Sequence, residues 1–183
     1  MPISPKTYER IVLEDPDHQW ELHCGQLVEK PPMTWEHNFT ARRLADDLGA
    51  QLDRGVYEAV YNIGRVSRAR ESYFIPDVYV IPRETQRRLF RRGRMESYPT
   101  PLPLVVEVWS RSTGGYDNST KLPEYRRRGD LEIWFIHPYE RTLRAWQRQP
   151  DGTYTETLYT EGSIQPVALP GVTIEIATLF EWE

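Results

Sequence analysis

Apolar residues recur at helical spacing in one long stretch of the first third of the chain. Every four or five positions an apolar side chain appears, at Phe39, Leu44, Leu48 and Leu52. Charged residues occupy many of the positions between them, which is the pattern of an amphipathic helix. Thr34 can serve as its N-cap and Gly55 can end it, so we predict a helix over residues 35–54.

Shorter apolar runs predict strands. Residues 20–22 and 27–29 flank a turn that contains Gly25, which indicates a β-hairpin. Residues 104–109 read LVVEVW, a nearly continuous apolar run that is typical of a central strand buried on both faces. Further strands are expected over residues 56–68, 75–81, 131–136, 142–147, 153–160 and 172–176.

The order of these elements predicts the fold class. A short helix over residues 118–128, ending at Gly129, separates two of the apolar runs. Strands alternating with helices indicate an α/β fold, here a mixed β-sheet flanked by helices with an antiparallel C-terminal extension. We expect residues 1–183 to form a single domain, with a lead-in over 1–18 and C-terminal strands over 141–183.

Composition narrows the class of protein. The formal net charge is −4, which excludes a uniformly basic nucleic-acid coat but not a basic patch. The chain has one cysteine, Cys24, so no disulfide can form within it. No run approaches the roughly 20 apolar residues of a membrane helix, and the first residues lack the apolar core of a signal peptide. These features predict a cytoplasmic protein with no membrane contact.

Two carboxylates fall within predicted buried strands. Glu107 lies inside the run LVVEVW, and Asp77 follows Pro76 at the start of DVYVI. A buried carboxylate needs a partner, and two on adjacent strands could bind one hard cation such as Mg²⁺ or Mn²⁺. The alternatives are that Asp77 is a turn or capping residue and that Glu107 forms an ion pair with an arginine.

Lysine is rare in this chain. Of 23 basic residues only Lys6, Lys30 and Lys121 are lysine. Lys121 follows Glu107 by 14 positions and lies near the start of the short helix. A lysine can hold or help to deprotonate a nucleophilic water, although a solvated lysine at a helix end is also ordinary.

An ordered set of motifs resembles a known family. Its members here are WELHCGQLVEKPP (20–32), EHN (36–38), IPDVYVI (75–81), LVVEVWSRST (104–113), Asp117 with Lys121, Tyr125 and EIWFIHP (132–138). Together they resemble the Uma2 (DUF820) branch of the PD-(D/E)XK nuclease superfamily. The resemblance implies a restriction-endonuclease-like core in which Asp77 and Glu107 bind the metal.

The same resemblance assigns further roles. Trp109 stands where the classical motif has its lysine, so Lys121 on the following helix takes that catalytic role, beside Asp77 and Glu107. His37 and Glu29 would lie near the site as auxiliary groups for metal binding or proton transfer. The chain departs from the pattern at Arg111 and at Pro123. The position of Pro123 leaves open whether the Lys121 side chain reaches the carboxylates.

A cluster of arginines lies in the charged segment over residues 83–100. Arg87, Arg88, Arg91 and Arg92 are its candidate nucleic-acid contacts. A solvated helical face balanced by Glu84 and Glu96 is an equal alternative.

Two functions follow from the sequence. The first is a metal-dependent endonuclease acting on nucleic acid, with DNA as the preferred substrate. The second is a nuclease-fold accessory module that binds nucleic acid or protein with little or no turnover, because a fold does not establish an activity. Nucleases that cut both strands often pair two subunits, so a homo-oligomer is a candidate assembly.

Overall fold

A computed structural model describes residues 2–69 and 71–182 of the chain. In chain order its elements are α1 (Pro5–Glu14), β1 (Gln19–His23), β2 (Gln26–Lys30), α2 (Trp35–Gln51), β3 (Tyr57–Tyr61), β4 (Val66–Arg68), β5 (Ser72–Phe74), β6 (Val78–Pro82), α3 (Arg83–Leu89), β7 (Leu104–Val108), α4 (Gly114–Tyr116), a π-helical turn (Asp117–Lys121), α5 (Leu122–Arg128), β8 (Glu132–His137), β9 (Thr142–Arg148), β10 (Tyr154–Tyr159), β11 (Ser163–Ile164), β12 (Ile174–Glu175) and a 3₁₀ helix (Ala177–Phe180).

A six-stranded mixed sheet forms the centre of the fold. Its strand order is β10-β9-β8-β7-β6-β3, and only the β7–β8 pair is parallel. All five residues of β7 are buried, as the apolar run predicted. The predicted α/β class with a mixed sheet, flanking helices and antiparallel C-terminal strands is therefore confirmed. A smaller sheet, β2-β1-β5-β4, holds the predicted hairpin.

Side chains alternate between two cores on the two faces of the central sheet, because successive strand residues point to opposite faces. Val78 and Val106 belong to the core that contains α2 and the C-terminal segment. Tyr79, Val105 and Ile133 belong to the opposite core, which contains Tyr125 of α5. We call this second side the α5 face of the sheet.

The helix before β8 differs from the prediction. Helical backbone begins at Gly114, not near residue 118, and passes through the π-helical turn before ending at Gly129, whose φ is 82°. Pro123 explains the wide turn, because proline has no N–H to donate and its ring would collide with the carbonyl of the preceding turn.

Two smaller differences concern the charged segment and the C-terminal strands. The charged segment over residues 83–100 contains a short helix, α3, and the strand expected over residues 172–176 is reduced to β12. Among the described helices, none has the length and apolar character needed to cross a membrane.

Candidate active site

The register of the central sheet brings the two predicted carboxylates together. Val78 pairs with Val106, and Tyr79 pairs with Val105. Continued by one residue, this register sets Asp77 opposite Glu107. Both are only 2% exposed. Two like charges side by side in a sheet are destabilising, so each carboxylate needs cationic or hydrogen-bonding partners.

Asp77 is satisfied on both of its oxygens. The Lys30 ammonium donates to Asp77 Oδ1 at 2.7 Å, and the backbone N–H of Val108 donates to Oδ2, also at 2.7 Å. His37 Nε2 lies 3.0 Å from Oδ2. Burial alone would raise the pKa of Asp77, but the Lys30 charge and the His37 hydrogen bond outweigh it and hold that pKa well below its usual value.

Glu107 has weaker compensation. The Tyr125 hydroxyl donates to its Oε1, and Lys121 Nζ donates to its Oε2 at 3.2 Å. Burial raises the pKa of Glu107 well above its usual value; Lys121 opposes this, while the nearby Asp117 and Asp77 charges add to it. Among the described residues no arginine contacts this carboxylate, so Glu107 is not the arginine-paired structural residue of the alternative interpretation.

Lys121 is the centre of three ion pairs and is 1% exposed. Its Nζ lies 3.1 Å from Glu21, 3.2 Å from Glu107 and 3.3 Å from Asp117. Burial by itself would lower the pKa of Lys121, but these carboxylates raise it well above its usual value. Lys121 is therefore a buried ammonium donor and not a solvated helix-end lysine.

The π-helical turn places both Asp117 and Lys121 in the site. They are its first and last residues, and both are buried. π-Helical turns of this kind occur often at functional sites. Asp117 and Lys121 also form an ion pair with each other.

Two site residues from the hairpin were missed in the sequence. The β1–β2 register pairs Glu21 with Val28 and Gln19 with Lys30, so Glu21 and Lys30 share one face of the hairpin. Both are buried. The rarity of lysine and the alternation of the hairpin strands were signals that could have found them.

Glu29 stays a prediction as an auxiliary group. It pairs with Trp20, on the face of the hairpin opposite to Glu21 and Lys30, and its side chain is exposed, but it lines a surface cleft together with Glu21, Lys30 and Lys121. Because side chains alternate along a strand, it is Lys30 and not Glu29 that contacts Asp77. His37, by contrast, is fully buried on α2 and reaches Asp77.

The arginine cluster lies away from the carboxylates. Arg87 and Arg88 are on α3, which begins directly after β6, whereas Asp77 precedes β6. A five-residue strand spans roughly 17 Å. The structure therefore does not bring Arg87, Arg88, Arg91 or Arg92 to Asp77, although all four are exposed.

The site holds more acidic than basic side chains. Its buried charged groups are the carboxylates of Glu21, Asp77, Glu107 and Asp117 and the ammonium groups of Lys30 and Lys121. Ionised carboxylates would outnumber the lysines by two, a balance that a divalent cation with oxygen ligands would neutralise. The lysines lie between the carboxylates, and in the described part of the chain no three His, Cys, Asp or Glu side chains converge as a ready metal cluster.

These residues line two clefts. One, of about 390 Å³, is lined by Glu21, Lys30 and Lys121. The other, of about 450 Å³, is lined by Glu107, Asp117 and aromatic residues of β8 and β9. Trp109 forms part of the wall of the second cleft, where its ring stacks on His137 with 4.2 Å between centroids.

Comparisons with known proteins identify the family and the fold. The family model described as "Uma2: Putative restriction endonuclease" matches residues 5–177. The crystal structure of a "putative nuclease belonging to DUF820" from Anabaena variabilis is similar, with a TM-score of 0.77, 16% identity and coverage of 99% of both chains. At this identity the likeness establishes the fold. No curated protein matches the chain.

Proposed function

The chain belongs to the Uma2 family of restriction-endonuclease-like proteins, and from this premise we propose that it is a divalent-metal-dependent nuclease that hydrolyses phosphodiester bonds in DNA. The observation that supports this most is the buried cluster around Asp77 and Glu107, in which carboxylates outnumber lysines. A domain gains nothing in stability from such an excess of buried acidic side chains, so we attribute it to a function.

Asp77 and Glu107 would hold the metal, Mg²⁺ or Mn²⁺, with Glu21 and Asp117 as further oxygen donors beside them. When bound, the metal would polarise the scissile phosphate and lower the pKa of an attacking water. The protein residues keep the donors in place. His37 and the backbone N–H of Val108 both hold Asp77 Oδ2, and Tyr125 orients Glu107.

Lys121 would supply positive charge to the reaction. It is compact, buried and already held against Glu107. From this position its ammonium could orient the attacking water or stabilise charge that develops on the phosphate oxygens. Arg87, Arg88, Arg91 and Arg92 would contact the phosphate backbone at a distance from the site and contribute affinity without sequence specificity.

A second function is favoured by one observation. Both oxygens of Asp77 already accept from protein donors, Lys30 on Oδ1 and the Val108 N–H on Oδ2, so Asp77 is satisfied by the protein itself. This arrangement suits a nuclease-fold accessory module that binds nucleic acid or another protein without turnover.

Metal binding and DNA cleavage, measured together, separate the two functions. We would titrate Mn²⁺ into the protein by calorimetry and incubate the same preparations with supercoiled plasmid. The test variant is Glu107→Gln. The matched control is Glu132→Gln, a buried carboxylate at the other end of the parallel β7–β8 pair that accepts from Ala168 N–H.

The nuclease assignment predicts Mn²⁺ binding and plasmid nicking in the wild type and in Glu132→Gln. In Glu107→Gln we expect nicking to fall at least about 100-fold, the scale seen when a transition-state contact is lost, and Mn²⁺ binding to weaken. Binding of DNA without nicking would favour the accessory module. No binding of Mn²⁺ by the folded wild type would overturn the metal-dependent mechanism.

A further inference from the structure

The cleft on the β8–β9 side of Glu107 has a floor built from one row of the central sheet. Glu107 pairs with Phe135, and Phe135 pairs with Arg144, so the three side chains lie in line on the α5 face. Neighbouring strands are about 4.8 Å apart, so Arg144 lies roughly 10 Å from Glu107. The row thus connects a carboxylate of the site to an exposed cation.

Aromatic rings and the π-helical turn form the walls. Trp109 stacks on His137, and both rings line the cleft beside Phe135. Asp117 and Asn118 of the π-helical turn also line the cleft. The cleft, which we call the β8–β9 cleft, has a volume of about 450 Å³. That space is large enough for one planar ligand with a charged substituent.

Arg144 is free to change partner. It pairs with Glu156 at 2.7 Å, but the two side chains are 49% and 45% exposed. An ion pair this open to solvent contributes little to stability. A ligand phosphate could therefore replace Glu156 as the partner of the Arg144 guanidinium with little loss of stability. The phosphate and Arg144 would then form a charge-assisted hydrogen bond.

We propose that the β8–β9 cleft binds one unpaired nucleotide next to the scissile phosphate, with its base against Phe135 and the Trp109–His137 pair and its phosphate on Arg144. This inference rests on the proposed nuclease function. Rings in the cleft suit a nucleobase, since base stacking on aromatic side chains tolerates any base. A base within a duplex is stacked and paired, so only an extruded or single-stranded nucleotide can enter.

The inference is tested by binding, separately from cleavage. Fluorescence anisotropy in EDTA would compare a labelled single-stranded DNA oligonucleotide with a blunt duplex of the same sequence. The variants are Arg144→Gln, Phe135→Leu and Glu156→Gln. Arg148→Gln is the matched control, because Arg148 is an exposed arginine at the other end of β9. Thermal melting of each variant verifies that it folds.

We expect the wild type to prefer the single strand. Arg144→Gln and Phe135→Leu should each weaken single-strand binding about tenfold, which corresponds to the loss of one charged or stacking contact. Glu156→Gln should strengthen binding by releasing Arg144, and Arg148→Gln should change it less than about twofold.

Binding and cleavage distinguish the two proposals. Equal affinity for both DNAs, or an Arg144→Gln effect no larger than that of Arg148→Gln, would overturn the cleft assignment even if plasmid nicking is observed. If the protein shows the expected binding pattern but never nicks DNA, the proposed nucleotide site in the cleft is supported and the nuclease function is contradicted.

Discussion

The buried carboxylates depend on specific cationic neighbours at the scale of single residues. The Lys30 ammonium donates hydrogen bonds to Asp77 Oδ1, to the carbonyl of Ile75 at 3.0 Å and to Asn62 Oδ1 at 3.2 Å. These partners are on different segments, so Lys30 joins the hairpin to the central sheet. We therefore expect Lys30 to contribute to the free energy of unfolding as well as to the charge of the site.

Lys30→Met is therefore expected to lower the free energy of unfolding by about 3–5 kcal/mol, because it leaves Asp77 buried beside an uncharged neighbour. Urea denaturation followed by circular dichroism measures the change. Lys6→Met, at an exposed position of α1, is the control and should stay within about 0.5 kcal/mol. Adding Asp77→Asn to Lys30→Met should recover part of the loss, since the two residues are coupled.

A loss as small as that of Lys6→Met would mean that the Lys30–Asp77 ion pair contributes nothing to stability. The absence of any recovery in the double variant would show that Lys30 acts through its other contacts and not through Asp77.

The helical segment from Gly114 to Arg128 is the element that completes the site. Its π-helical turn, which lies just before Pro123, buries Asp117 and Lys121 on the α5 face. At its start Gly114 lies against Trp109, and a Cβ built on Gly114 would come within 2.0 Å of Trp109 Nε1. The neighbouring Gly115 has no heavy atom within 4 Å of the same position.

Gly114→Ala and Gly115→Ala should therefore have opposite effects. We expect Gly114→Ala to destabilise the protein by about 1–3 kcal/mol, because the new methyl group forces Trp109 from its stack on His137. Gly115→Ala should be neutral or stabilising by up to about 1 kcal/mol, because alanine favours helix. Thermal denaturation with tryptophan fluorescence reports both, and equal effects would refute the close approach at Gly114.

At the scale of the whole molecule the C-terminal segment belongs to the central core. Leu179, in the 3₁₀ helix, is fully buried in the cluster that contains α2 and the central strands. Thr40 of α2 donates to the carbonyl of Leu179 at 3.1 Å. We therefore expect the segment after β9 to unfold together with the rest of the chain, as the single domain predicted over residues 1–183 requires.

Leu179→Ala tests this cooperativity. It should cost about 2–5 kcal/mol and lower the midpoints of circular dichroism and tryptophan fluorescence equally. Leu158→Ala, at a side chain that is 53% exposed on β10, is the control and should change little. Two separate transitions in Leu179→Ala would indicate that the C-terminal segment unfolds by itself and would contradict the single domain.

The sequence by itself determined the elements whose patterns are local. Thr34 caps α2 as predicted, accepting from His37 N–H, because capping depends on neighbouring residues only. The apolar run around Glu107 becomes the buried β7 for the same reason. Asp77, Glu107 and Lys121 are predicted as site residues from the charges within apolar strands, the rarity of lysine and the resemblance to the Uma2 family.

Tertiary structure alone decided which side chains meet. Alternation divides a strand into two faces, but the partner sheet selects the inward face, and it selected Lys30 over Glu29. The sequence likewise does not show how far the arginines after β6 lie from Asp77, because that distance depends on the direction of β6 in the folded sheet. The π-helical turn also lay beyond the sequence, because Lys121 at its end is held by ion pairs to Glu107 and Glu21, which lie on other elements.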